Sequence, residues 1–194
     1  MQPKAHFLLK QQISKFCEVD SRLCNVLEHL FTDTMLGEKE FFEIEGEKAQ
    51  KFGFLISGCL RSFKTYETGK ELLTDFLLPG DFIVAAVNFG ENNLVTIQTI
   101  KNCEILVADY QKLEKLAEKE KEVFNFKKNL TSKLIKEKIE RENNKANLDA
   151  SDRYNIFLKK YPNLLNQIPH YYVASYLGIS STQLSRIRKK ISLS

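Results

Sequence analysis

The residues best placed to do chemistry lie near the end of the sequence. Ser181, Thr182, Ser185, Arg186 and Lys189 are spaced so that a helix would carry them on one face. Hydroxyls, a guanidinium and an ammonium in that pattern can bond base edges and pair with phosphates in a major groove. No acid interrupts residues 180–191, and Leu184, Ile187 and Ile191 supply the opposite, apolar face. The elements that must position this helix are also legible. Pro169 suits the first turn of a preceding helix, where its missing N–H costs nothing. Val173, Ala174 and Leu177 form the inner side of that helix, and the small Ala174 lets a second helix cross closely. Gly178 can take the positive φ that ends the helix in a tight turn. Ser180 is a good N-cap, with Gln183 three residues on to complete a capping box. Residues 168–191 therefore read as a helix-turn-helix. A plain helical hairpin with a solvated basic face is the bland alternative, and the spacing of small, turn, cap and apolar positions argues against it.

The charge distribution points the same way. Residues 148–194 hold seven basic and two acidic side chains; with the whole chain at +4, the remainder is left at −1. A polyanion would meet the basic end. No apolar run approaches the roughly 18–20 residues of a membrane helix, and the first ten residues lack a signal-peptide pattern, so a cytoplasmic protein is expected. Cys17, Cys24, Cys59 and Cys103 are widely spaced, without a C-x-x-C pair. They read as small buried apolar residues, with a redox-sensing thiol as the alternative.

Further back, the apolar pattern changes twice. Residues 4–31 read as helical, through Phe7, Leu8, Ile13, Phe16, Leu23, Val26, Leu27 and Leu30, with a break near Asp20-Ser21. Residues 38–108 shift towards a period of two. Strand candidates are 41–44, 52–56, 60–66, 72–78, 94–100 and 104–107, separated by glycine-bearing turn signals at 45–47, 57–58, 67–70 and 79–81. Many short, regularly spaced strands predict an antiparallel roll of about six to eight strands. Residues 109–146 have no Gly or Pro and are dense in Lys and Glu. Their apolar stripe needs a partner surface, either the chain's own roll or a second copy. Val123, Phe126, Leu130 and Leu134 are expected to be the seam between two copies. The fold class is thus α+β, with expected domains 1–108 (N-terminal helices and β-roll sensor), 109–147 (connecting and dimerisation helix) and 148–194 (helix-turn-helix).

At this point the sequence resembles the cyclic-AMP receptor protein/fumarate–nitrate regulator (Crp/Fnr) family. Phe54-Leu-Ile-Ser-Gly-Cys-Leu-Arg61, Gly69-Lys70-Glu71 and Leu78-Pro-Gly-Asp-Phe-Ile83 are similar to that family's roll. Asp152-Arg153-Tyr154, Phe157-Leu158, Tyr161-Pro162, Ile168-Pro169, Ala174-Ser-Tyr-Leu-Gly-Ile179 and Leu184-Ser-Arg-Ile-Arg188 are similar to its DNA-binding half. The resemblance implies a cyclic-nucleotide-binding-domain-like roll (a double-stranded β-helix), a long dimer helix and a C-terminal winged helix-turn-helix. It implies a homodimer on double-stranded DNA, with RNA polymerase as a candidate further partner and an unidentified small-molecule effector. The departures are specific. Members that bind cyclic nucleotides carry a Gly-Glu pair after the Gly-Asp turn and an Arg-Ser or Arg-Thr pair further on. Here Ala85 replaces the Glu, and Asn93-Leu94 replaces the Arg pair. No Arg or Lys lies between Lys70 and Lys101, so a phosphate there would lack that cation. The pocket formed by Ala85, Asn93 and Leu94 is read as degenerate. The iron–sulfur branch is set aside too, because Cys17 and Cys24 do not form its clustered set.

Two other readings differ in class. A cupin-like enzyme needs His/Glu clusters on roll strands to hold a metal, but residues 38–108 contain no histidine; no enzyme, metal or cofactor is expected. A ligand-sensing roll whose output is protein binding is the other, and the basic terminal segment argues against it.

Overall fold

The computed structural model describes residues 3–18, 26, 29–88 and 90–192. Leu23, Cys24 and Leu27 of the expected N-terminal helices, with the break near Asp20-Ser21, lie outside the described residues. Helix α1 spans Pro3–Ile13 and buries Ala5, Leu9 and Ile13, four residues apart.

Among the described residues eight strands follow: β1 Phe31–Leu36, β2 Phe41–Glu43, β3 Lys51–Ser57, β4 Leu60–Thr65, β5 Glu71–Leu77, β6 Phe82–Ile83, β7 Thr96–Thr99 and β8 Cys103–Asp109. They form two four-stranded sheets, ordered β1-β8-β3-β6 and β2-β7-β4-β5. The pairs β1–β8, β3–β8, β3–β6, β2–β7 and β4–β7 are antiparallel. The roll starts earlier than its pattern suggested, at Phe31. Strand β1 escapes periodicity because its outward side chains include Met35, which is 70% exposed. One apolar cluster joins residues of both sheets: Phe42, Leu55, Leu60, Ile83, Ile97 and Ile105 are fully or almost fully buried.

Gly58 is required where β3 turns into β4. Its φ is +97°, and an added Cβ would sit 2.4 Å from the Asn102 carbonyl oxygen. Only a residue without Cβ fits both constraints.

Helix α2 (Tyr110–Ala117) begins at Asp109, whose carboxylate accepts from the Lys112 N–H. Helix α3 runs from Lys121 to Asn147. Its first turns are bound to the roll's aromatic cluster. The Phe126 ring lies 5.0 Å from Phe82, 5.8 Å from Phe16 and 6.1 Å from Phe52. Burying a phenylalanine so completely contributes heavily, and its truncation to alanine would cost about 3–5 kcal/mol. An ion pair between Lys127 and Glu114 ties α3 to α2.

The chain divides into two compact units, residues 1–64 with 75–134, and residues 65–74 with 135–194. The second holds α4 (Ala150–Lys160), a 3-10 turn at Leu164–Asn166, α5 (His170–Leu177) and α6 (Ser181–Ser192). Among the described residues of 135–192 there is no strand, so the expected wing is not formed there. The physical reason lies in 161–169: Pro162 and Pro169 cannot donate to a ladder, and Asn163 is left-handed at φ +68°.

Candidate nucleic-acid interface

The terminal helix pair is built as its residue types dictate. Pro169 stands one position earlier than expected, at the cap rather than the first turn, with ψ at 132°. Helix α5 buries Val173, Ala174 and Leu177. Gly178 adopts φ 68°, ψ 34° and donates to the Ala174 and Ser175 carbonyls, which closes the helix. The Gln183 N–H then donates to Ser180 Oγ at 3.1 Å, capping α6. Leu184 and Ile187 turn inward, and Ile191 is half-buried.

With that face buried, Ser181, Thr182, Ser185, Arg186 and Lys189 are all exposed on the other. Arg188, two residues beyond Arg186, is held differently: its Nη1 lies 2.9 Å from His170 Nδ1. It braces α6 against the start of α5. The exposed basic face can hydrogen-bond base edges through Arg186 and the hydroxyls, and phosphates through Lys189.

The expected dimer seam needs correction. Val123, Phe126 and Leu130 are buried at 1%, 2% and 5% exposure in the roll's own core. A partner helix cannot reach them. Leu134 lies at 37%. Leu134 apart, the apolar side chains that α3 leaves exposed are Phe124, Ile135 and Ile139. At about 100° per residue they share a stripe with Thr131, roughly 100° or more around the helix from the buried one.

The roll residues expected to mark a degenerate pocket are placed as follows. Ala85 is buried, and its carbonyl accepts from the Leu94 N–H at 2.8 Å. Leu94 is exposed. Asn93 is buried and donates through Nδ2 to Glu43 Oε2 at 2.9 Å and to the Ile44 carbonyl at 3.1 Å. Glu43 Oε1 also accepts from the backbone N–H groups of Gln50 and Lys51. Its position so early in the roll gave no signal of this role. Arg61 was missed as well. It is buried, donates from Nε and Nη2 to Gln98 Oε1 at 3.0 and 2.6 Å, and stacks 4.0 Å above the Phe63 ring. Its only sequence signal was a charge inside an apolar run. These roll polar groups bond one another or backbone, while the buried Asn93 Oδ1 has no hydrogen-bond partner among the described residues.

The cysteines that can be placed are not poised thiols. Burial pushes the Cys59 thiol up to about 12, with the neighbouring Cys103 adding to the rise. Burial also raises Cys103 and Cys17.

Residues 36–120 match the cyclic nucleotide-binding domain family. FixK2 from Bradyrhizobium japonicum superposes with a TM-score of 0.76 at 18% identity, over 84% of this chain and 85% of that one. CLP from Xanthomonas campestris, described as a c-di-GMP-responsive global regulator, gives 0.69 at 18% identity over 90% and 92%. A CooA variant from Carboxydothermus hydrogenoformans gives 0.65 at 20% identity over 87% and 78%. All three are Crp/Fnr-family regulators. The chain shares the fold of all three. No curated protein matches it. This fold brings the residues of the helix pair together on one face, and it takes most of the expected seam on α3 into the roll. No helix among the described residues is long and apolar enough to cross a membrane.

Proposed function

We propose that this protein is a sequence-specific DNA-binding transcription regulator of the Crp/Fnr type, acting as a homodimer and indifferent to cyclic AMP. The observation that carries the reading is the exposed face of α6, with Ser181, Thr182, Ser185, Arg186 and Lys189 held outward by a helix whose other face is buried. Residues 1–108 serve as the roll, 109–147 as the connecting helix and 148–194 as the DNA-binding segment. The second copy packs against the stripe of Phe124, Thr131, Ile135 and Ile139. Ile135→Asp should therefore yield monomers in sedimentation, whereas Leu130→Asp should unfold the roll.

The loss of cyclic-AMP recognition follows from Ala85 and from the engagement of Asn93 with Glu43. Calorimetry should detect no binding at physiological concentration, and micromolar affinity would overturn that part. The main reading is tested by fluorescence anisotropy with duplexes of random sequence. Affinity should fall linearly on logarithmic axes as salt rises, and repeated selection should enrich a two-fold symmetric site. Absence of binding at low salt would sink it.

A further inference from the structure

A cavity elsewhere in the helical unit gathers chemistry that DNA reading does not use. It lies between the C-terminal third of α3, one side of α4 and the end of α5, with a volume of about 430 Å3. Small-molecule sites span roughly 300–1,000 Å3. Arg141 and Lys145 reach it from α3, and Arg153, Lys159 and Lys160 from α4. Glu137 and Glu140 are the acids on its lining, so the surroundings carry a surplus of three positive charges. Two aromatic rings belong to the lining, the buried Phe157 and the half-buried Tyr176. Phe157 and Tyr176 have ring centroids 5.8 Å apart, and the Arg141 guanidinium lies 5.9 Å from the Tyr176 ring.

Cations around flat rings select a particular ligand chemistry. The guanidinium and ammonium groups can pair with phosphate oxygens, and the half-buried Tyr176 ring and the guanidinium plane can stack on a flat ring. A neutral apolar molecule would desolvate the cations without compensation. A bare phosphate would leave the Tyr176 ring unused.

The cavity also sits at a mechanical joint. Arg153 donates from Nε to the Leu177 carbonyl at 3.2 Å and from Nη1 to the Leu148 carbonyl at 2.5 Å. One guanidinium thus ties the α3–α4 joint to the residue just before the Gly178 turn. A ligand bridging α3 and α4 holds that joint in one arrangement, and α6 follows α5 through the turn. We infer that this cavity is an effector site of the helical unit, binding a small phosphorylated ligand that carries a flat ring. The inference rests on the DNA-binding reading for its consequence but not for the binding itself.

Calorimetry on the full chain, with the four common nucleoside diphosphates as probes and pyrophosphate and adenosine as controls, tests it. At least one diphosphate should bind with micromolar affinity, and both controls about tenfold or more weakly. Lys160→Glu, at an exposed position, should weaken the diphosphate by about tenfold, while Lys160→Arg retains it. Circular dichroism checks that both variants fold, and Lys145→Glu, at a second position on the lining, should repeat the loss. Pyrophosphate binding as tightly as the diphosphates would overturn the ring assignment. Unchanged affinity in both charge reversals, or no binding by any diphosphate at millimolar concentration, would overturn the site. Saturating diphosphate should change DNA affinity by about fivefold or more; an unchanged DNA affinity would overturn the effector role. Diphosphate binding by a chain that binds no DNA would leave the site standing and remove the DNA reading instead.

Discussion

The roll and the terminal helix pair use polar side chains in opposite ways. In the roll, Glu43, Asn93, Arg61 and Gln98 are buried and bonded to one another or to backbone. On α6, Ser181, Thr182, Ser185, Arg186 and Lys189 are exposed, and the buried side is apolar. Buried polar groups must be satisfied locally because an unmet donor or acceptor costs about 1–3 kcal/mol. Groups that serve a partner are left facing water. Under the proposed function, the contrast assigns the output to α6 and leaves the roll positions of Ala85 and Asn93 without an input role.

The largest expected effect tests how tightly the roll is determined. Gly58→Ala combines a positive φ with a backbone clash at 2.4 Å. It should lower stability by about 3 kcal/mol or more, read from the denaturation midpoint. A loss under about 1 kcal/mol would mean that the turn relaxes. Next, Asn93→Ala removes a donor from the buried Glu43 carboxylate and should cost about 2 kcal/mol, with DNA affinity unchanged. If DNA affinity collapsed while stability held, Asn93 would belong to an input site and the contrast would fail.

Much of this contrast was legible in the sequence, and the misses have physical causes. The helix pair was readable because its turn, cap and apolar positions are local: Gly178, Ser180, Leu184 and Ile187 each lie within about one turn of the next. The seam on α3 was not. Val123, Phe126 and Leu130 form one apolar stripe and Phe124, Ile135 and Ile139 another, and periodicity alone does not say which one the roll covers. The Glu43–Asn93 bond joins residues fifty positions apart, a separation that no spacing rule reaches. Strand β1 was missed because Thr32, Asp33 and Met35 are exposed and leave no clean alternation. The cavity beside α4 combines α3, α4 and α5, so its basic residues looked in the sequence like a solvated surface.

Two smaller effects sharpen the comparison. Ser180→Ala removes the cap of α6 and should cost about 1 kcal/mol, with a matching loss in DNA affinity if α6 must be ordered to bind. An unaltered melting curve would mean that the Ser180 bond adds nothing in water. In the roll, burial raises the Cys59 thiol from 9.0 to about 12. The neutral thiol is therefore favoured by folding. Its contribution is fully present below pH 9 and is lost as pH climbs from there towards 12. Cys59→Ser, whose hydroxyl does not ionise in that window, should flatten the alkaline fall in stability; an identical fall would assign it to other groups.

The central claim is that α6 reads DNA, and it is tested most directly by comparing two substitutions on two DNAs. A duplex selected from a random pool and an unselected duplex are titrated with the wild type, Arg186→Ala and Lys189→Ala across a salt series. Arg186→Ala should lose roughly 1–3 kcal/mol on the selected duplex and little on the unselected one, as expected for a guanidinium gripping a guanine edge. Lys189→Ala should weaken both alike and lower the salt slope by about one charge. Equal losses on both duplexes for Arg186→Ala would make it a backbone contact and pass base reading to Thr182 or Ser185. Wild-type binding that does not distinguish the two duplexes would contradict the account.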